Sequence, residues 1–114
     1  MSKLIGRNVL MRIFIGEGDK VGHRLLYEAL VELFKKEGFA GATVLRGITG
    51  FGAHSVYHKD TLLRLSRDLP VVVEVVDTKE NIDRVMPRID EMMCGGLITL
   101  EKVTVIRYSH KHDA

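Results

Sequence analysis

Residues 8–15 read Asn-Val-Leu-Met-Arg-Ile-Phe-Ile, and Gly16-Glu17-Gly18-Asp19 follows directly. Val9, Met11, Ile13 and Ile15 fall on one side of a period-two pattern and Arg12 on the other, which predicts a strand. The glycine-rich turn stops the strand, and Asp19 is placed to cap a helix. From Lys20 to Glu37 the period changes. Val21, Leu25, Leu26, Ala29, Leu30, Leu33 and Phe34 recur at three- and four-residue steps, the stripe of an amphipathic helix. Gly38 stands where a left-handed C-terminal cap is wanted. His23 is expected in the first turns of this helix, on its wet side.

Further along, Ala42-Thr43-Val44-Leu45-Arg46-Gly47-Ile48 predicts a second strand. Residues 49–69 show no apolar period beyond a short helical turn at Thr61–Ser66, and a loop of that length in a compact domain usually either carries function or hides a further element. Pro70 opens a third strand, Val71-Val72-Val73-Glu74-Val75-Val76, whose β-branching predicts burial on both faces. Asp77 and Glu80 have the spacing of a capping box. Ile82, Val85, Met86, Ile89, Met92 and Met93 then trace a second helical stripe, with a kink expected near residue 83 because Pro87 removes a backbone bond. Cys94-Gly95-Gly96 ends it. In the last strand, Leu97 to Tyr108, Ile98 and Leu100 are out of phase with Val103 and Val105, which predicts a bulge at Glu101-Lys102. Residues 109–114 read as a frayed tail.

The order β-α-β-β-α-β predicts an α+β, ferredoxin-like sandwich: an antiparallel sheet with two helices on one face. Val, Ile and Leu occupy both faces of several strands, so the face without helices needs a cover. A second copy of the chain is the simplest one, and the patterning therefore predicts an oligomer.

A chain of 114 residues is expected to form one domain over residues 1–114, with its core at 8–108. No apolar run approaches the ~20 residues of a membrane span, so no membrane insertion is expected. Lys3, Arg7 and Asn8 interrupt the N-terminus and argue against a signal peptide. Cys94 is the only cysteine, which excludes an internal disulfide and fits a reducing, cytoplasmic location. The 17 basic residues are scattered among 15 acidic ones, apart from His110-Lys111-His112. That distribution lacks the basic stripe of a nucleic-acid binder.

Arg46-Gly47-Ile48-Thr49-Gly50-Phe51-Gly52 is the most informative segment. Three glycines around one aromatic let a backbone approach a ligand and offer it N–H and C=O groups, the bland alternative being a turn that merely leaves the sheet. Cys94-Gly95-Gly96 is a second cradle candidate, its alternative an ordinary helix end. His54 and His58, and His110 and His112, lack a third ligand at structural-zinc spacing, so no metal site is assigned. No nucleophile turn is present, and Glu17 and Asp19 are explained by solvation and capping, so the chain is not read as an enzyme. Met86, Met92 and Met93 read as core filling.

With these residues in view the sequence resembles the PII-like (GlnB-like) superfamily, in its branch of small uncharacterised PII-like proteins that lack the signatures of PII itself. The resemblance spans residues 8–108. It rests on Gly16-Glu17-x-Asp19, Gly41-Ala42-Thr43-Val44-x-Arg46-Gly47-Ile48-x-Gly50-Phe51-Gly52, Leu69-Pro70, Gly96-Leu97-Ile98-Thr99 and Val105-Ile106-Arg107. It implies a homotrimeric signalling protein that requires no cofactor, binds an adenine nucleotide in clefts between subunits, and regulates a partner such as a membrane transporter or channel. Residues 49–69 would correspond to the PII T-loop, ordered by the ligand. Arg46, Gly47, Ile48, Gly50, Phe51 and Gly52 would form the base-binding wall, Gly95, Gly96, Leu97 and Ile98 the phosphate-cradling B-loop, and Arg107 a phosphate contact. The B-loop lysine of PII is missing from Cys94-Gly95-Gly96, which favours AMP, a cyclic nucleotide or ADP over ATP. Ala53-His54 replaces the Gln-Lys pair that follows Gly-Phe-Gly in PII and argues against 2-oxoglutarate sensing. Nothing around Tyr57 matches the PII modification site. The competing readings are a metal-linked or structural trimer resembling the copper-tolerance branch of the fold, and a bare ferredoxin-like interaction module.

Overall fold

In the computed structural model, which describes residues 4–51 and 69–109, the alternation around Met11 becomes β1, Gly6–Gly16. Met11 and Ile13 are fully buried. The expected helix starts later than its stripe. Lys20–Val21 (β2) and Arg24–Leu25 (β3) instead pair as a small antiparallel hairpin. Gly22 turns it at φ +62°, a backbone no helix contains. His23 is therefore in an exposed turn. Asp19 does not cap a helix either: its Oδ2 accepts from the Gly16 N–H at 3.0 Å and closes the turn after β1. The first helix, α1, runs Leu26–Lys36.

The end of α1 follows the sequence closely. Gly38, at φ +80°, donates to the Lys35 carbonyl, and Phe39 donates back to that of Phe34. This is the paired closure of a Schellman cap, completed by the Phe34 and Phe39 rings at 4.9 Å. After β4, Thr43–Arg46, and β5, Pro70–Asp77, comes α2, Lys79–Met92. Its cap is Thr78, which accepts from the Asn81 N–H at 3.1 Å. The spacing of Asp77 and Glu80 suggested another cap, but Asp77 is buried and otherwise engaged. It accepts from the N–H of Ala40 (2.9 Å), the N–H of Thr78 (2.8 Å) and Asn81 Nδ2 (2.7 Å). α2 is continuous through residue 83 and Pro87. Both residues face solvent, where water can take the carbonyl that proline leaves unpaired.

β6, Leu97–Val105, pairs with β1 without a break, from Phe14 opposite Leu97 to Gly6 opposite Val105. The expected bulge is absent and the phase change is real. Ile98 and Leu100 share a face with Ile13 and Met11, whereas Val103 and Val105 lie on the other face. The main sheet is antiparallel in the order β4-β5-β1-β6. Met11, Ile13, Ile15, Val71, Val73 and Val75 meet Leu26, Leu30, Leu33, Phe34, Ile82, Val85 and Ile89 in one core, so both helices cover the same face.

Among the described residues no element covers the other face. Leu45, Val72, Phe14 and Leu97 form one row across all four strands, with Leu45 48%, Phe14 36% and Leu97 56% exposed. Beside that row Arg12 bonds Glu74 at 2.9 Å and Glu101 at 3.0 Å. The Glu74 hydrogen bond is the main cause that raises the Arg12 pKa from its ordinary value. An apolar row around a neutralised arginine is the pattern of a surface prepared for contact.

Candidate functional site

β4 ends at Arg46, and the chain there is held against the start of β5. The Gly47 N–H donates to the Pro70 carbonyl at 2.7 Å, and a Cβ at Gly47 would stand 2.8 Å from Pro70 Cγ. Gly50 adopts φ +144° beside the same ring. These two glycines are thus demanded by packing at the neck of the loop. Beyond them Ile48 is 91% and Phe51 85% exposed, so large apolar side chains project from an uncovered backbone.

Glu17 fastens this neck. Its N–H donates to the Leu69 carbonyl at 2.9 Å, which holds the returning stem. Its Oε2 pairs with the Arg46 guanidinium, which holds the departing one. The side chain is only 14% exposed, so the expectation of a solvated acid is corrected. The buried Oε1 has no hydrogen-bond partner among the described residues. Sequence reasoning missed this role because both contacts join segments far apart along the chain. The only signal was the glycine on each side of Glu17, which lets the turn lie close to the stems.

Gly96 is also fixed by packing. It adopts φ +116°, and a Cβ there would lie 2.7 Å from the Phe14 carbonyl oxygen. Gly95, Gly96, Leu97 and Ile98 lie at the same end of the sheet as Arg46 to Phe51, since Phe14 pairs with Leu97 there and Gly16 with Pro70. The two segments are nevertheless on opposite edge strands, three interstrand spacings or roughly 14 Å apart. Arg107 follows β6 at the other end of the sheet; Val105 alone is roughly 26 Å along the strand from Leu97. One chain therefore does not gather the whole expected set. Gly52, His54, Tyr57, His58, His110 and His112 lie outside the described residues, as does the Thr61–Ser66 turn.

A larger groove, of about 440 Å³, opens at that other end between Leu10, Val76, Val105 and Tyr108. The Tyr108 hydroxyl crosses to donate to the Ala40 carbonyl at 2.9 Å. Among the described residues no three His, Cys, Asp or Glu side chains group to hold a metal, and no helix is long and apolar enough to cross a membrane.

Known proteins place this geometry in context. The family DUF190 (Uncharacterized ACR, COG1993) matches residues 8–105. A UPF0166 protein of Methanocaldococcus jannaschii is 43% identical over 92 residues, covering 80% of this chain and 84% of its own length. A UPF0166 protein of Aquifex aeolicus is 42% identical over 97 residues, covering 85% and 91%. Among solved structures, a Thermus thermophilus protein described as PII-like superposes with a TM-score of 0.62 at 20% identity, covering 90% of this chain and 92% of that one. CPII, a nitrogen regulatory PII-like protein of Thiomonas intermedia bound to ADP, AMP and bicarbonate, superposes at 0.60 with 14% identity, covering 92% and 99%.

Proposed function

The chain belongs to the DUF190 family and has the PII-like fold, and on that premise we propose that it is a homotrimeric signalling protein, acting as one domain in the cytoplasm, that binds an adenine nucleotide between subunits. The base lies against Arg46 to Gly52 of one subunit. The phosphates meet Gly95, Gly96, Leu97 and Ile98, with Arg107 supplied by a neighbour. AMP, a cyclic nucleotide or ADP is favoured over ATP, because no lysine stands within the Cys94-Gly95-Gly96 turn. Binding orders the loop after Gly50 and changes its docking on a partner protein, such as a transporter or channel. No step of this role needs catalysis.

The observation that carries the reading is the separation of the two glycine segments. They share one end of the sheet but occupy opposite edges, so they meet in one site only when a second chain is brought alongside. The open apolar row of Leu45, Val72, Phe14 and Leu97 supports such an assembly, and CPII with ADP and AMP supports the ligand class. Thermal unfolding against AMP, ADP, ATP and cyclic AMP, with Cu²⁺ and Zn²⁺ as competitors for the metal-linked reading, tests it. A nucleotide at a hundred times its Kd stabilises by ~2.7 kcal/mol. A shift with the metals and none with any nucleotide overturns the proposal.

A further inference from the structure

The turn after β1, Gly16 to Lys20, has no ligand role in the site above, and it lies between the two glycine segments. Glu17 reaches the β4 and β5 stems on one side. On the other, Asp19, Lys20 and Leu26 face Cys94 and Gly95 across a cleft of about 120 Å³. The Asp19 carboxylate is turned back onto the Gly16 N–H. Lys20 is exposed and pairs with no acid among the described residues. Its position is fixed by the β2–β3 hairpin, in which it pairs with Leu25.

The other wall supplies donors but no charge. Among the described residues the N–H groups of Cys94, Gly95 and Gly96 have no hydrogen-bond partner, and successive free N–H groups form an anion-accepting concavity. The turn follows the C-terminal end of α2, however. That is the negative pole of the helix dipole, and the last turn of α2 holds no basic residue to offset it. Backbone donors alone would therefore make a poor phosphate site there. A cation across the cleft reverses the balance.

We propose that Lys20 supplies, from β2, the phosphate-binding cation that the Cys94-Gly95-Gly96 turn lacks in its own sequence. The ligand group is the α- or β-phosphate of the adenine nucleotide, so the inference rests on the nucleotide reading above and adds a specificity residue to it. With Arg107 of the neighbouring subunit it gives the site two cations, which agrees with the preference for mono- and diphosphates.

Isothermal titration of the full chain with adenosine, AMP and ADP tests it on wild type, Lys20→Met, Lys20→Arg and the exposed control Lys36→Ala. Lys20→Met keeps the aliphatic stem and removes the charge. It is expected to weaken ADP roughly 10- to 100-fold, the range of a charge-assisted hydrogen bond, and to leave adenosine and the ligand-free Tm unchanged. Lys20→Arg retains most of the affinity and Lys36→Ala all of it. If Lys20→Met binds ADP as wild type does, or loses adenosine and ADP equally, Lys20 is not a phosphate contact. If wild type binds adenosine, AMP and ADP not at all, the nucleotide reading itself fails and the assignment of Lys20 goes with it.

Discussion

Replacing Gly96 by alanine separates what the glycine turn does for the fold from what it offers a ligand. Gly96 adopts φ +116°, and a Cβ there would lie 2.7 Å from the Phe14 oxygen, 2.8 Å from Met93 Cε and 3.3 Å from Ile15 Cγ2. Met93 Cε is the end of a flexible side chain and can swing away. The Phe14 carbonyl cannot, because β1 is laddered on both sides at this residue, to Val72 and to Leu97. A non-glycine residue in such a backbone region costs about 1–3 kcal/mol, and overpacking against a fixed neighbour costs about 1–3 kcal/mol more. Gly96→Ala is therefore expected to destabilise the protein by about 2–6 kcal/mol in equilibrium urea unfolding at fixed chain concentration. Gly22→Ala is the matched control: Gly22 has φ +62° but nothing within 4 Å of its would-be Cβ, so only the backbone cost of about 1–2 kcal/mol applies. If Gly96→Ala unfolds within about 0.5 kcal/mol of wild type, or if Gly22→Ala proves the more damaging, the Phe14 carbonyl does not hold this position to glycine.

Two further outcomes follow from the same geometry. Asp77→Ala leaves the N–H groups of Ala40 and Thr78 and the Asn81 amide without their shared acceptor, and is expected to cost about 2–4 kcal/mol in the same unfolding assay. Phe14→Asp puts a charge in the centre of the open row on the face away from the core, and is expected to give folded single chains by light scattering, because a carboxylate cannot be buried there unpaired; an unchanged particle mass would show that this face is not the contact surface.

The fold was legible where local chemistry and tertiary packing agree. The stripe from Leu26 to Phe34 and the cap at Gly38 appear where the periodicity places them. β5 does not follow its expectation of burial on both faces: Val71, Val73 and Val75 are buried, whereas Val72 and Val76, on the face without helices, are only half-buried. The departures have local causes. Val21 and Leu25 fit the helical stripe, yet Gly22 turns the chain before a helix can form. Val103 and Val105 change phase because the open face of the sheet is itself apolar, so no bulge is needed to rescue them. Asp77 was assigned to a cap because spacing cannot show that Ala40, far away in sequence, arrives with an unpaired N–H. The same limit applies at the candidate site. The glycines at 47, 50 and 96 announce themselves, but their partners Pro70 and Phe14 are known only once the strands pair. Glu17, the residue that joins both stems of the loop, had no sequence signal stronger than its flanking glycines.

Native mass spectrometry of the full chain with ADP decides whether the nucleotide site is shared between subunits, because it counts chains and nucleotides in one particle. The expected particle is an assembly of three chains that takes up as many as three ADP molecules. A single chain that binds one ADP, or a three-chain particle that takes up none, would contradict it.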